Sequence, residues 1–289
     1  MSMTLMHTTS NSLLGRSAID TADSNCDSVR IGAVSYLNSK PLVFGLESLL
    51  GDRDVLSLAL PSELAKDLAC GAIDIGLIPV VEFFQHPEFQ IVSDAVIACR
   101  GPVWSVRIFF RGEPSQVKTL ALDEGSRTSV ALSKVLFHHR YGFVPDTIPL
   151  KMSDDPKDVS ADAVLVIGDR AMHPELFRPA FRSDWDLGQA WLEETGLPFV
   201  FAMWVARNSR FANDHWKQKF EKSRDEGQRH IREIACNASG KYQMSAMQCE
   251  DYLTNYIRFF LNEDERAGLS EFHRRCAALG LISNGAFKF

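Results

Sequence analysis

The chain has 289 residues, of which 45% are hydrophobic, 24% charged and 10% aromatic, and this composition excludes a disordered or fibrous protein. Its 31 Lys and Arg residues are outnumbered by 37 Asp and Glu residues, which gives a formal net charge of -6. Because nucleic-acid phosphates are bound by clustered basic residues and no basic stripe is present, we expect no nucleic-acid partner. An anionic small ligand would need a local site.

The first 28 residues predict a disordered leader, since they are rich in Ser, Thr, Asn and Asp. They contain no basic segment followed by an apolar one, so we expect no secretion signal. No apolar run approaches the roughly 20 residues of a membrane helix, so we expect no membrane partner. The six cysteines form no CxxC pair and no metal-like spacing with His, which indicates free thiols and no metal site. Together these features predict a cytoplasmic protein.

The first part of the body predicts a β-α-β unit. A short buried strand starts at Val29 and leads through a loop to a helix start at Pro41. A second helix has Ser62 as its N-cap and Gly71 as its C-terminal stop. The run Ile73–Val80 is then another buried strand. Continuous apolar strands in this rhythm predict a parallel sheet covered by helices.

A second unit follows the same rhythm. Residues 91–111 read as two extended runs interrupted by Gly101-Pro102. Val117–Leu122 is a strand, followed by a Gly-Ser turn and a helix, and Ala163–Gly168 is the next strand. We expect these residues to form a second β-α-β unit.

The C-terminal third is predicted to be helical. The apolar run at 198–206 returns the chain to the first unit, and from Asn208 onward we expect only helices. Tyr252, Tyr256 and Phe260 repeat at helical spacing, which assigns them to the core.

These units predict an α/β protein of two lobes, with the second inserted into the first. The expected first lobe comprises residues 29–115 and 205–289, and the second comprises 116–204. A cleft between two lobes is where small ligands usually bind.

The turn after the strand at 117–122 is a candidate anion site. Ser126, Arg127, Thr128 and Ser129 open a helix there, so backbone N–H groups, hydroxyls and one guanidinium could hold a carboxylate or phosphate. The alternative is that Ser126 or Thr128 only caps the helix.

Polar residues also follow the first strand. Tyr36, Asn38 and Ser39 lie at its carboxyl end, where open α/β sheets bind ligands, although an Asx-type turn before Pro41 is an alternative for Asn38. Ser105 lies near the start of the strand at 103–110 and could equally be a packed hydroxyl.

Asp169 sits at the carboxyl end of the strand at 163–167, where a helix N-cap is the alternative interpretation. No GxSxG, GxGxxG or Walker motif is present, and the histidines show no ligand spacing. Spacing alone therefore predicts a two-lobed binder of small anions.

Six segments resemble the chorismate dehydratases of the futalosine route to menaquinone. They are IGAVSYLNSKPL (31–42), AIDIGLIPVVEF (72–83), GPVWSVRIFF (101–110), DEGSRTSVAL (123–132), VLVIGDRA (164–171) and DLGQAWLEETGLPFVFAMW (186–204). The resemblance implies a type II periplasmic-binding-protein-like fold with the ligand cleft between the lobes. It also implies loss of water from chorismate, a dianion, to give 3-[(1-carboxyvinyl)oxy]benzoate, without a cofactor.

The resemblance also implies a site. Asn38 and Ser105 are its predicted catalytic residues, with Ser126 and Thr128 from the GS-x-TS turn binding the substrate. Trp104 and Arg107 depart from the pattern, and the role of Arg107 stays open, because it could point into the cleft and alter how a carboxylate is held. Tyr36, Arg127, Ser129 and Asp169 complete the expected substrate-binding set.

Three other functions share this fold. A solute-binding protein would need export, and a cytosolic sensor would carry a DNA-reading helix pair, which the sequence does not show. The dihydroxynaphthoate synthase of the same pathway is the nearest enzyme alternative, and the SYLN, SV and GS-x-TS segments favour the dehydratase.

Overall fold

Two mixed β-sheets organise the part of the chain that the computed structural model describes, residues 28–151 and 153–283. The predicted leader lies outside these residues apart from Ser28, as does Cys26. The first sheet contains β1 (Arg30–Val34), β2 (Val55–Ala59), β3 (Ile75–Pro79), β4 (Gln90–Cys99), β10 (Phe199–Ala206) and β11 (Arg258–Phe260). The second contains β5 (Val106–Phe110), β6 (Thr119–Asp123), β7 (Asp146–Leu150), β8 (Ala163–Ile167) and β9 (Ser183–Asp186).

Helices cover both sheets. They are α1 (Lys40–Val43), α2 (Pro61–Cys70), α3 (Val80–Gln85), α4 (Arg127–Tyr141), α5 (Leu187–Thr195), α6 (Asp214–Arg229), α7 (Ile231–Ala238), α8 (Ala246–Asp251) and α9 (Glu263–Ala278). Each of these helices is too short or too polar to cross a lipid bilayer.

The strand order is β11-β4-β10-β3-β1-β2 in the first sheet and β7-β6-β8-β5-β9 in the second. In each sheet the central β-α-β unit is parallel, as predicted: β1 pairs with β3, and β6 pairs with β8. The remaining central pairs are antiparallel, because β10 runs against both β3 and β4, and β5 runs against both β8 and β9. The expected purely parallel sheet is therefore wrong.

The chain passes between the sheets twice, after β4 and after β9. Strand β5 pairs only in the second sheet and β10 only in the first. The crossings therefore lie at 99–106 and 186–199, whereas the boundaries predicted from sequence lie at 115/116 and 204/205. Apolar runs such as β5 and β10 indicate that a strand is buried, but they do not indicate which strand it pairs with. The sequence pattern therefore does not locate the crossings.

Two other local expectations are corrected. Helix α2 starts one residue before its predicted cap: Leu60 is the N-cap, Pro61 opens the helix, and Ser62 lies within it. Gly71 does end α2, with a φ of +76° that only glycine adopts without strain. After Asn208 the chain is not wholly helical, because β11 adds an edge strand beside β4, preceded by a π-helical turn at Tyr252–Tyr256.

The long helix α6 fixes the position of the short helix α1. The hydroxyl of Ser223 donates hydrogen bonds to the carbonyls of Leu42 and Phe44, at 3.0 Å each. One turn further along α6, Gly227 faces the Pro41 carbonyl so closely that an added Cβ would lie 2.0 Å from its oxygen. Only glycine allows this approach, and α1 directly follows the turn that carries Asn38.

We expect Gly227→Ala to lower the free energy of unfolding by about 1–3 kcal/mol, because relieving the overlap with Pro41 requires α1 and α6 to separate. Gly112→Ala is the matched control, since no atom lies within 4 Å of the Cβ it would add. Urea unfolding of both variants measures the difference. Equal midpoints for the two would contradict the close packing of α6 on α1.

Candidate functional site

A cavity lies between the two sheets, a position that is typical of small-molecule sites. Both sheets and the first crossing contribute to it, and its lining residues are Val34, Tyr36, Asn38, Pro61, Pro79, Ile97, Val103, Ser105, Val106, Ser126, Ser129, Ile167, Gly168, Phe201 and Ala202. Five of the residues predicted for the site therefore share one cavity: Tyr36, Asn38, Ser105, Ser126 and Ser129. None of its lining residues carries a carboxylate, an ammonium or a guanidinium.

Asn38 reaches the cavity from the turn after β1. The side chain of Ser39, not that of Asn38, stabilises this turn, since the Ser39 hydroxyl donates to the Tyr36 carbonyl at 2.8 Å. Asn38 is thus free of the Asx-turn role. Its Oδ1 atom is buried and has no hydrogen-bond partner, so an acceptor in the cavity wall is left for a ligand.

Ser105 reaches the cavity from the first crossing, where the backbone is strained. The preceding residue, Trp104, has a φ of +63°, which is rare for a residue that is not glycine. The Asp186 carboxylate holds this conformation by accepting the N–H groups of Val103 at 2.9 Å and of Trp104 at 2.7 Å. Ser105 itself is 3% exposed. Strain held by a carboxylate next to a cavity residue is typical of functional sites.

Asp186 also caps helix α5, accepting the N–H groups of Gly188 at 3.0 Å and Gln189 at 3.2 Å. Burial raises the pKa of this carboxyl, while the backbone bonds and Arg107 oppose that rise. A single carboxylate therefore ties the start of the second crossing to the middle of the first.

Arg107 does not point into the cavity. Its guanidinium pairs with Asp184, lies 3.7 Å from an oxygen of Asp186, and donates from Nε to the Trp104 carbonyl at 3.2 Å. The expected direction of Arg107 into the cleft is therefore wrong, and its contacts support the strained crossing instead.

A further residue, Tyr252, touches Ser105 and was assigned to the core by its helical spacing. The Tyr252 hydroxyl lies 2.9 Å from the Ser105 Oγ atom, and Tyr252 is completely buried. Burial raises the pKa of this phenol, while its hydrogen bonds with Ser105 and Asn38 act in the opposite direction. No pattern in the sequence links positions 147 residues apart, so this contact could not be predicted.

The N-terminus of α4 forms one end of the cavity. Ser126 is both the cap and a lining residue: its Oγ accepts the Ser129 N–H at 3.3 Å and lies 2.9 Å from the Ser129 Oγ. The two alternatives considered for Ser126 are therefore compatible. Two hydroxyls beside the first N–H groups of a 15-residue helix can hold an anion through neutral donors and the helix dipole.

Arg127 and Thr128 do not line this cavity. The Arg127 side chain is 56% exposed and pairs with Glu82 at 3.0 Å. Thr128 is completely buried, and its hydroxyl accepts the N–H of Val81 at 3.4 Å. Both residues join α4 in one lobe to α3 in the other. A helical turn points consecutive side chains in different directions, which is why the four residues of this segment divide between two tasks.

Tyr36 lines this cavity, whereas Asp169 does not. Gly168, with a φ of +66°, allows close packing of the Tyr36 ring, since a Cβ there would lie 3.3 Å from it. The Tyr36 hydroxyl is buried without a hydrogen-bond partner. Burial raises its pKa, and the charges of Asp123 and Asp169 add to that rise.

Asp169 does not cap a helix, contrary to the alternative, because the turn Gly168–Met172 has Ile167 at its N-cap position and no side-chain cap bond. It lines an adjoining cavity with His173 and Lys241. Burial raises its pKa to about 6, although Lys241 and His173 act in the opposite direction. Its charge raises the pKa of Tyr252 as well, which places Asp169 within electrostatic range of the first cavity.

Metal-binding residues do not cluster in the described ranges, where no group of three or more His, Cys, Asp or Glu side chains is arranged around a common point.

The chain is similar to known proteins over most of its length. A family model described as menaquinone biosynthesis matches residues 29–278. A chorismate dehydratase from Thermus thermophilus is 31% identical over 272 residues, which cover 87% of this chain and 95% of the relative. The chain belongs to the chorismate dehydratase family of menaquinone biosynthesis. The resemblance carried by the six segments is confirmed, and so is the expected enzyme class, a hydro-lyase.

A second relative, a chorismate dehydratase from Campylobacter jejuni, is 26% identical over 246 residues, covering 85% of this chain and 92% of the relative. Among solved structures, a Candida albicans protein described as having the generic periplasmic binding protein fold superposes with a TM-score of 0.63 at 11% identity. The match covers 90% of this chain and 92% of that one. The expected two-lobed α/β fold of the periplasmic-binding-protein kind is confirmed.

We expect Asp186→Asn to lower the free energy of unfolding by about 2–4 kcal/mol. The N–H₂ group of the new amide would face a backbone N–H group that donates to a carboxylate oxygen in the parent. Asp184→Asn is the matched control: this residue pairs with Arg107 from the same strand, and the smaller loss of about 1 kcal/mol is expected. Urea unfolding compares the two. An equal loss in both variants would show that Asp186 acts only as a charge.

Asp169 gives a pH dependence whose sign follows from its raised pKa. Its carboxyl titrates near 6 in the folded protein and near 3.8 when unfolded, so the folded state binds the proton more tightly and stability falls as pH rises through this window. We expect Asp169→Asn to be more stable than the parent by about 1–2 kcal/mol at most at about pH 8. Near pH 4 we expect the two proteins to be equally stable.

Thermal unfolding across this pH range measures the effect. Asp155→Asn, in the same adjoining cavity, is the control, because a backbone hydrogen bond from Lys157 lowers the pKa of Asp155 and the sign is reversed. A stability difference for Asp169→Asn that is independent of pH would show that the carboxyl is not perturbed in the folded protein.

Proposed function

We propose that the protein removes water from chorismate to give 3-[(1-carboxyvinyl)oxy]benzoate, the first committed step of the futalosine route to menaquinone. The family to which the chain belongs and the names of its relatives support the reaction class. The observation that carries the proposal is that Asn38 and Ser105, from two separate segments, line one cavity whose end is the N-terminus of α4.

The reaction balances without an oxidant. One ring C–H bond and the neighbouring C–O bond break, the proton and the hydroxyl leave as one molecule of water, and the ring becomes aromatic. Aromatisation makes the overall change favourable. The protein therefore has to orient the substrate, hold its two carboxylates and assist a poor leaving group.

We assign the carboxylate-binding role to the α4 N-terminus with Ser126 and Ser129. Thr128 and Arg127, which the family resemblance and the sequence motif also suggested, are turned toward α3 and are assigned to joining the lobes. Neutral donors suit a dianion in a closed cavity, because a fixed helix dipole and hydroxyls stabilise charge without requiring a buried counter-ion.

Asn38 and Ser105 are assigned to the reacting end of the substrate, where they hydrogen-bond the groups on which charge develops. The proton acceptor is then the side-chain carboxylate of chorismate itself. This assignment is supported by the cavity lining, in which the described residues include no carboxylate, histidine or lysine.

A solute-binding role, a sensor role and dihydroxynaphthoate synthesis are the competing functions. Two relatives named as chorismate dehydratases, which align over at least 92% of their own length, favour the dehydratase over all three. Cytoplasmic location stays a prediction.

Incubating the purified protein with chorismate alone tests the proposal. We expect an aromatic ultraviolet absorption to grow in while mass spectrometry records the loss of one water. Tight binding of chorismate without any conversion would favour the solute-binding function and overturn the proposal.

We expect Asn38→Ala and Asn38→Asp to lower kcat by at least about 100-fold, with a much smaller change in KM, because the lost interaction forms in the transition state. Steady-state kinetics with chorismate measures both constants. Asn255→Ala is the matched control, since Asn255 is exposed and hydrogen-bonds only Asp251. Near-normal turnover in either Asn38 variant would refute the assigned role.

A further inference from the structure

We infer that Tyr252 orients the hydrogen bonds of Asn38 and Ser105 so that the pair recognises the leaving hydroxyl group of the substrate. Tyr252 is a positioning residue in this scheme, because it touches Ser105 and Asn38 and does not line the cavity. The inference rests on the proposed function and deepens it.

The position of Tyr252 is tightly defined. Its ring is completely buried at the start of the π-helical turn Tyr252–Tyr256 and meets the Trp104 ring edge-on, with centroids 6.0 Å apart. The hydroxyl lies 2.9 Å from the Ser105 Oγ atom. A buried aromatic side chain without rotational freedom presents its hydroxyl in one place only.

The direction of the hydrogen bonds follows from counting hydrogens. The phenol has one hydrogen to donate, and a buried hydrogen of this kind needs an acceptor. The Tyr252 hydroxyl donates its hydrogen to the Ser105 Oγ atom at 2.9 Å. Tyr252 also hydrogen-bonds the Asn38 side chain. Because the phenol hydrogen is already used, the Asn38 N–H₂ group is the donor in that bond, and the Asn38 Oδ1 atom keeps no partner.

This arrangement leaves Ser105 with its own hydrogen to donate. The chain of donors runs in one direction, from the Asn38 amide to Tyr252, from Tyr252 to Ser105, and from Ser105 into the cavity. Hydrogen bonds in such a chain polarise one another, so the Ser105 hydroxyl becomes a stronger donor than an isolated serine.

The cavity wall therefore offers one acceptor and one donor side by side. Asn38 Oδ1 can accept a hydrogen, and Ser105 Oγ–H can give one. A substrate hydroxyl satisfies both at once, whereas an ether oxygen or an ionised carboxylate has no hydrogen for Asn38.

The same geometry assists departure of the hydroxyl. When the C–O bond breaks, both electrons go to oxygen, and the Ser105 hydrogen bond to that oxygen strengthens as negative charge develops. The departing hydroxide then combines with the proton taken from the ring to form water. Burial raises the pKa of Tyr252, so the phenol keeps its proton and continues to polarise Ser105.

Tyr252→Phe removes the hydroxyl and keeps the ring, so the packing against Trp104 remains. We expect kcat to fall roughly 10- to 100-fold, the size of one lost hydrogen bond to a developing charge, with KM changed by no more than about threefold. In the Ser105→Ala background, Tyr252→Phe should lower kcat less than it does in the parent, because part of its effect acts through Ser105.

Tyr256→Phe is the matched control. Tyr256 lies in the same π-helical turn and also contacts the Trp104 ring, at 5.3 Å between centroids. The substitution keeps the Tyr256 ring and removes a hydroxyl that takes no part in the proposed hydrogen bonds. We expect its kcat to equal that of the parent. Full turnover by Tyr252→Phe, or an undiminished effect of it in the Ser105→Ala background, would overturn the inference.

Urea unfolding of the same four proteins, the parent, the two single variants and the double variant, separates this inference from the proposed function. Non-additive unfolding midpoints support the hydrogen bond between Tyr252 and Ser105 without any substrate. Failure of the parent to convert chorismate, with non-additive midpoints, refutes the proposed function and leaves the bond in place. Conversion by the parent together with additive midpoints and additive rates refutes the inference alone.

Discussion

The carboxylate of Asp186 is the interaction on which the site depends. It accepts backbone N–H groups from both crossings between the sheets, at Val103 and Trp104 in one and at Gly188 and Gln189 in the other. These bonds compensate a backbone conformation at Trp104 that is unfavourable for any residue with a Cβ atom. The position of Ser105 follows directly from that conformation, and the Tyr252 hydroxyl meets it from the opposite side.

The electrostatics of the cavity are built from dipoles. Its lining residues in the described part of the chain are apolar or neutral and polar, while three nearby guanidinium groups pair with carboxylates: Arg107 with Asp184, Arg127 with Glu82 and Arg170 with Asp123. A guanidinium that already has a carboxylate partner contributes little net charge to a ligand. A doubly charged guest would therefore be held by aligned N–H and O–H groups, which need no reorganisation when charge moves during the reaction.

Local sequence patterns predict those parts of this protein that depend on neighbours along the chain. The buried strands β1, β3, β6 and β8, the helix α4 and the stop at Gly71 were predicted because apolar periodicity and capping residues are local signals. Segment resemblance also identified Asn38, Ser105 and Ser126, which the fold brings to one cavity. The roles of these residues stay predictions.

The remainder depends on contacts between distant parts of the chain. Packing decides which sheet β5 and β10 join, where the edge strand β11 lies and which residue Tyr252 contacts. The same apolar sequence would be compatible with several arrangements. Arg127 illustrates the limit well. Its place beside a helix N-terminus suggested an anion contact, yet one helical step turns it to Glu82 on the other lobe.

The attachment of α4 to α3 affects how easily the two lobes can separate. On this side the polar links between them are one solvent-accessible ion pair and one long hydrogen bond, from Val81 to Thr128. Both are weak compared with the strand pairing inside each sheet, and the ion pair is screened by dissolved salt. The lobes can therefore separate beside the N-terminus of α4 while each sheet stays intact, and the ion pair between Glu82 and Arg127 makes the ease of separation sensitive to ionic strength.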